Sequence, residues 1–478
     1  VISSFSAAGA IVYLGSEVEA AGSGFLMEGE GTTELRLTGT FTPEGGTAGS
    51  VEHACAFVSS ERDVLRVPFA ADCLGIQPGV FQGQILPVNL HTEGQEVAGS
   101  PLPDVQLELG PTLFSRVEPA AASRGQKISI QGRGFVAGNA VTTVRIEGTF
   151  TGSDGQVKEL SGVDALELVP EVVDGGIMQY VMRVEPDGRG GVKGLGAESG
   201  MLEGTATPIV YHGEDTVEGI PLPEQLQFRV LPQKQVVYLK FLPGFTDALR
   251  DFGLRNVEHL IRERVMEVCV RDYQGINLEW RAVRPEDFVE YAVLEIGGRD
   301  PNGRDLIGLD NTMGKDTGNL YFDDIAGGWN ADSAESGHAA FGGVFVSSYL
   351  GLSEKADDPM PLASPEFDRV FGPFMPSQGG EPVQADEYPG GERAAAVEEA
   401  VHALGSMIGT TATHEIGHTL GLAAGPPDMF HNLVPADNQI MDAGIYREFE
   451  ERAELNGKGP AVWTTENRAY LEAILPVE

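Results

Sequence analysis

The sequence predicts a multidomain chain: two all-β sandwiches followed by an α+β domain. Three observations predict it. The N-terminal half repeats itself in copies of about 110 residues. After Leu231 strand-like alternation gives way to helical spacing. From His414 the chain reads HEIGHTLGL. A length of 478 residues is expected to hold two to four domains, and we place them at 1–110, 111–232 and 233–478.

The repeat is read from paired segments. Residues 15–25, GSEVEAAGSGF, match 125–135, GQKISIQGRGF. Residues 35–42, LRLTGTFT, match 144–151, VRIEGTFT. The copies close on similar phrases, Ser100-Pro101-Leu102-Pro103 and Ile220-Pro221-Leu222-Pro223. Alternating strands between glycine-rich turns predict sandwiches. The glycines are turn residues and not a phosphate loop, since no helix follows them and no Lys-Ser/Thr ends them. Cys55 and Cys73 share the first copy and are expected to pair, which points to an oxidising compartment.

Beyond Leu231, residues 236–241, VVYLKF, read as an apolar strand. Residues 247–270 read as one amphipathic helix, with Leu249, Phe252, Val257, Leu260, Ile261 and Val265 at helical spacing. Cys269, near Val265 and Val268, is expected to be a buried core thiol. Strands are expected near 276–280, 291–296 and 343–347, the last as an edge strand able to pair with a peptide backbone. The segment 310–324, DNTMGKDTGNLYFDD, offers carboxylates to Ca²⁺ but lacks EF-hand spacing; a solvated acidic loop is the competing reading. The Pro-, Gly- and acid-rich stretch 359–391 reads as a surface insertion over the cleft. A helix-compatible run from Ala394 leads into the histidines, with Gly405 and Gly409 placed for close packing.

His414 and His418 are four apart, so on a helix they share one face. Two imidazoles at that spacing can grip one Zn²⁺. Glu415 follows the first of them and suits a general base. Gly421 lets the chain leave the helix. Met441 sits in a tight-turn context, Ile440-Met441-Asp442-Ala443-Gly444, and three of the nine histidines fall between 414 and 431.

HExxHxxG followed by such a methionine resembles the metzincin metallopeptidases, whose motif is HExxHxxGxxH with a Met-turn. The resemblance implies an endopeptidase that uses a zinc-activated water, with Glu415 as general base and Met441 as the apolar floor under the metal. The chain departs from that pattern at Ala424, which stands where the third ligand would be and cannot bind metal. We expect His431 to replace it, with 423–430 looped out by Pro426 and Pro427; Asp428 is the alternative ligand. A gluzincin-like arrangement would use Glu448 or Glu451, and the Met-turn argues against it. The tyrosine that assists the oxyanion in some metzincins is Ala443 here, and Tyr446 is out of register. The Gly-x-Gly-Phe after an alternating strand resembles the IPT/TIG class of immunoglobulin-like domains, more closely in the second copy than in the first.

Thirty-two basic against 71 acidic side chains give a net charge of −39, a balance that repels nucleic acid and anionic membranes. No run of 18 apolar residues is present to span a bilayer. The chain opens VISSF without Met, and we expect a secreted or cell-surface protein whose export signal is not in this chain. Its partners would be a peptide or protein substrate, with the sandwiches serving self-association or surface attachment. The second hypothesis is a structural or adhesive surface protein with an inactive metalloprotease-like domain. The intact Glu415 favours the enzyme, and the altered ligand spacing favours the alternative.

Overall fold

The computed structural model describes residues 1–478 apart from 8–9, 58–60, 187–191, 313–317, 330–339, 423–430 and 478. The chain is multidomain and mostly β-sheet with some helices. It divides into two compact units, Val1–Leu231 and Pro232–Glu478.

In the first unit the sequence repeat is also a structural one. The long strands Gly31–Pro43 and Gly79–His91 pair antiparallel over their whole length, and so do Ala140–Gly152 and Gly200–His212. Each pair anchors a larger sheet that has a smaller one beside it: Ile2–Ala7, Glu17–Gly22 and Val64–Pro68 in the first half, and a four-stranded sheet containing Lys127–Arg133 in the second. The matched glycines carry the turns. Gly15 and Gly125 have φ of 69° and 81°, and Gly24 and Gly134 have 80° and 85°, a region that costs any residue with a Cβ. Phe25 and Phe135 follow and are fully buried. The expected boundary at 110/111 falls inside this unit. Val136, Ala140 and Val210 of the second half join the core of the first half, alongside Leu35, Phe81 and Leu109. A disulfide ties Cys55, on strand Gly49–Phe57, to Cys73, on the helical turn Ala71–Leu74, with their Cα atoms 5.1 Å apart.

The second unit is built on strands β1 (Gln235–Phe241), β2 (Leu278–Arg281), β3 (Ala292–Gly297), β4 (Gly308–Leu309), β5 (Ile325–Ala326), β6 (Gly328–Trp329) and β7 (Phe341–Phe345). The main path through the sheet is β2-β1-β3-β7-β4. Its neighbours are parallel except β4, which runs antiparallel along β7. The helices are α1 (Pro243–Asp251), α2 (Glu258–Asp272), α3 (Pro365–Phe371), α4 (Ala394–Thr419), α5 (Phe449–Arg452) and α6 (Thr465–Ile474). Helices α2 and α4 approach closely because Gly405 and Gly409 carry no side chain. A Cβ there would lie 2.5 Å from the Arg264 Cβ and 2.6 Å from the Val268 Cβ. Cys269 is fully buried on α2 as a free thiol. No helix among the described residues is long and apolar enough to cross a membrane.

Three expectations are corrected. The single helix over 247–270 is two helices, because Gly253 takes φ of 70° and its backbone abuts the Phe374 carbonyl. The strand expected at 343–347 is Phe341–Phe345; it lies inside the sheet, and the edge belongs to the two-residue strand β4. The stretch 359–391 is more than a surface insertion: Phe367, Val370, Phe371, Phe374, Met375 and Val383 are buried in the core. Their apolar area removed from water outweighs the Pro and Gly content that suggested a loop.

Candidate metal centre

Helix α4 is buried over its last four turns, and it carries His414, Glu415 and His418 into the interior. His414 Nδ1 lies 2.6 Å from the carbonyl oxygen of Ile440, and His418 Nδ1 lies 3.3 Å from that of Leu422. A carbonyl only accepts, so both Nδ1 atoms carry the proton and donate it. Both Nε2 atoms therefore present lone pairs, and they face each other at 3.1 Å. Two lone pairs at that distance repel unless a cation lies between them. A proton is a poor candidate, since burial and the neighbouring His418 push His414 well below the usual imidazole range.

His431 completes the group. Its ring lies 5.4 Å from that of His414 and 5.3 Å from that of His418, centroid to centroid. One ligand atom from each of the three lies within 4.8 Å of the others. Donors on a tetrahedral zinc, each 2.0–2.1 Å from it, are about 3.3 Å apart, so the residues present fit such an ion. Among the described residues this is the one group of three or more His, Cys, Asp or Glu that could hold a metal. Asp428 and Ala424 lie outside the described residues, as do 313–317 of the acidic loop considered for Ca²⁺. Glu448 and Glu451 are engaged elsewhere, the first with Lys458 at 2.6 Å and the second with Arg447 at 2.9 Å.

The turn at Met441 fixes two of these histidines. Ile440 holds His414 through its carbonyl. The Met441 carbonyl accepts from the Asn432 amide at 3.0 Å, and the Asp442 carboxylate accepts from Asn432 Nδ2 at 2.7 Å and from the Ala436 amide at 3.0 Å. Asn432 follows His431, so this clamp holds the third imidazole. The Met441 sulfur packs on Gly417 between the two helical histidines; a Cβ on Gly417 would sit 2.6 Å from it. Ala443 lines the cleft, while Tyr446 is exposed.

Glu415 is buried beside the histidines. Burial and the nearby Asp310 carboxylate push it well above the usual carboxylate range, and the backbone at Asp310 opposes them. Gly308 on the edge strand β4 makes room for it, since a Cβ there would lie 2.3 Å from Glu415 Oε1. A cavity of about 1160 Å³ opens onto His414, Glu415, His418 and His431. Such a site can hold a metal by three nitrogens and leave its remaining side open to a ligand in the cavity.

Gly308, Asn432, Asp442, Arg447 and Arg452 were missed in the sequence. Asn432 and Asp442 had a faint signal, one adjoining His431 and the other inside the methionine turn. The arginines had none, because single charged residues read as solvated surface.

No family model and no curated protein matches the chain. Among solved structures, it is similar to SGBP-B from a complex xyloglucan utilization locus in Bacteroides uniformis, at 15% identity, 47% coverage of this chain and a TM-score of 0.15. The match spans about half of that protein, 48%. Chicken CNTN1 FN1-FN3 domains match at 9% identity over 49% of this chain and 67% of that one, with a TM-score of 0.16. Likenesses this distant carry no argument about function.

Proposed function

We propose that the second unit is a zinc-dependent endopeptidase of metzincin type, in a secreted or surface protein whose first unit consists of immunoglobulin-like sandwiches. The observation that carries the reading is the pair of Nε2 lone pairs meeting at 3.1 Å, with His431 beside them and Glu415 at the wall of an open cavity. A structural zinc site is usually closed by four protein ligands, whereas a catalytic one keeps a position free. Three histidines facing a cavity match the second pattern.

His414, His418 and His431 would hold the ion. When bound, zinc supplies Lewis acidity, which acidifies water and polarises the scissile carbonyl. Glu415 takes the proton of the attacking water on its carboxylate and returns it to the leaving amine. Its raised affinity for a proton suits that task. Gly308 leaves room for the carboxylate, and the edge strand β4 offers backbone groups for pairing with an extended peptide. The buried Glu415 favours an enzyme over an inactive adhesive domain, because a site that only binds metal has no use for it.

The test is direct. Purified protein should carry about one zinc per chain and cleave unstructured peptides. Glu415→Gln should keep the zinc and lose cleavage by about 10²-fold or more, the size of a positioned acid–base contribution. Zinc well below one equivalent, or a Glu415→Gln variant as active as the parent, would overturn the reading.

A further inference from the structure

The cavity continues past Glu415 and Thr411 to Arg452, which is only 4% exposed. Arg452 Nε donates to the Arg447 carbonyl at 3.0 Å, and one Nη donates to the Gly444 carbonyl at 3.2 Å. Among the described residues the other Nη has no hydrogen-bond acceptor and no carboxylate forms an ion pair with this guanidinium. The neighbouring arginine is satisfied differently. Arg447 is held by Glu451 at 2.9 Å and by Thr410 at 2.9 Å. Two arginines thus share one glutamate at this end of the cavity.

Of the carboxylates that line the cavity, Glu415 attracts Arg452 across space without a contact, and the others are committed or exposed. Asp442 is taken by Asn432 and the Ala436 amide, and Asp310 by Thr312 at 3.0 Å. Asp305 and Asp358 are exposed. A buried guanidinium that touches no carboxylate, with Glu451 and Glu415 acting on it only at a distance, is poorly compensated and gains from an anion that pairs with it directly. Burial and Arg447 push Arg452 down to about 10, which still leaves it charged at neutral pH. Leu350, Met360 and Leu362 give the cavity apolar lining, against which the methylenes of an acidic side chain can pack.

We propose that this cleft selects an Asp or Glu beside the scissile bond, and that Arg452 reads its carboxylate. The inference rests on the peptidase reading and deepens it by naming the substrate class. A charge-assisted, bidentate pair in a desolvated pocket favours the acidic residue by about 10- to 100-fold.

The experiment is a cleavage profile of a degenerate peptide library by the zinc-loaded full chain. The expected result is enrichment of Asp and Glu at one position flanking the cut, by about 10-fold or more. Arg452→Gln should abolish the enrichment, and Arg452→Lys should retain part of it. Cleavage with no acidic enrichment, or enrichment that survives Arg452→Gln, overturns the proposal and leaves the peptidase reading standing. Should the glutamine variant fail to fold, the profile of the unsubstituted protein decides alone. Should nothing be cleaved, the peptidase reading fails, and the binding of two peptides differing only by Glu or Leu decides the role of Arg452. Tighter binding of the Glu peptide by about 10-fold supports it, and equal binding refutes it.

Discussion

Gly308→Ala isolates the contact between the sheet edge and the general base. The added Cβ would lie 2.3 Å from Glu415 Oε1, 3.0 Å from its Cδ and 2.7 Å from Thr411 Cγ2. Ordinary van der Waals contact needs about 3.5 Å, so the carboxylate or the strand must move by about 1 Å. Gly308 does not sit at positive φ, so alanine brings no backbone strain there and the steric effect stands alone. Helix α4 is packed on several sides and holds Glu415 from behind, which leaves the carboxylate as the softer partner. A displacement of 1 Å in a catalytic group costs about 10²-fold, and the overpacking itself costs about 1–3 kcal/mol. We expect kcat/KM for a peptide substrate to fall by about 10²-fold, with zinc content unchanged because none of the three histidines is touched. Parallel measurement of zinc, thermal stability and kcat/KM checks this. A variant with full zinc and kcat/KM within threefold of the parent would refute the placement of β4 against Glu415.

Asp442→Ala removes the clamp on Asn432 and should weaken zinc binding by about 10- to 100-fold, as loss of an outer partner does elsewhere; competition with a chelator measures it, and unchanged affinity would show that His431 needs no such support. Asp272 is pushed up from 3.8 to about 6, mainly by burial and against the pull of Arg271. The native state then binds a proton that the unfolded chain has released, so this group's stabilising contribution is full below about pH 4 and is lost as pH rises through 6. Relative to the parent, Asp272→Asn should therefore gain up to about 3 kcal/mol between pH 4 and pH 7, and a difference constant across denaturation curves at those pH values would sink this. Cutting the disulfide by Cys55→Ser with Cys73→Ser opens a loop with a sequence separation of 18 and should destabilise the first unit by about 3 kcal/mol; a denaturant midpoint equal to the parent's would contradict it.

What could be read in the sequence was what periodicity and short motifs encode. The helix bearing His414 and His418 shows itself because a four-residue spacing has one geometric meaning. The paired glycines of the repeat show themselves because only glycine takes their φ cheaply. The edge strand β4 did not, because two residues have no period. The burial of Phe367, Val370 and Phe371 was masked by the Pro and Gly around them, which report turns and say nothing of what the intervening aromatics touch. Gly253 broke a helix whose apolar spacing runs on through the break, since both pieces pack on one core. The arginines at the end of the cavity were hidden because burial of a charge is decided by distant parts of the chain.

The shared core of the first unit changes what counts as a separable part. A cut at Gly110 follows the sequence repeat but would strip Val136, Ala140 and Val210 from the apolar surface they complete. Each half would then present a greasy face to water and tend to clump. Cutting after Leu231 leaves that surface closed. For any engineering that shuffles pieces of this chain, the tandem is therefore the transferable cassette, and the single repeat is not.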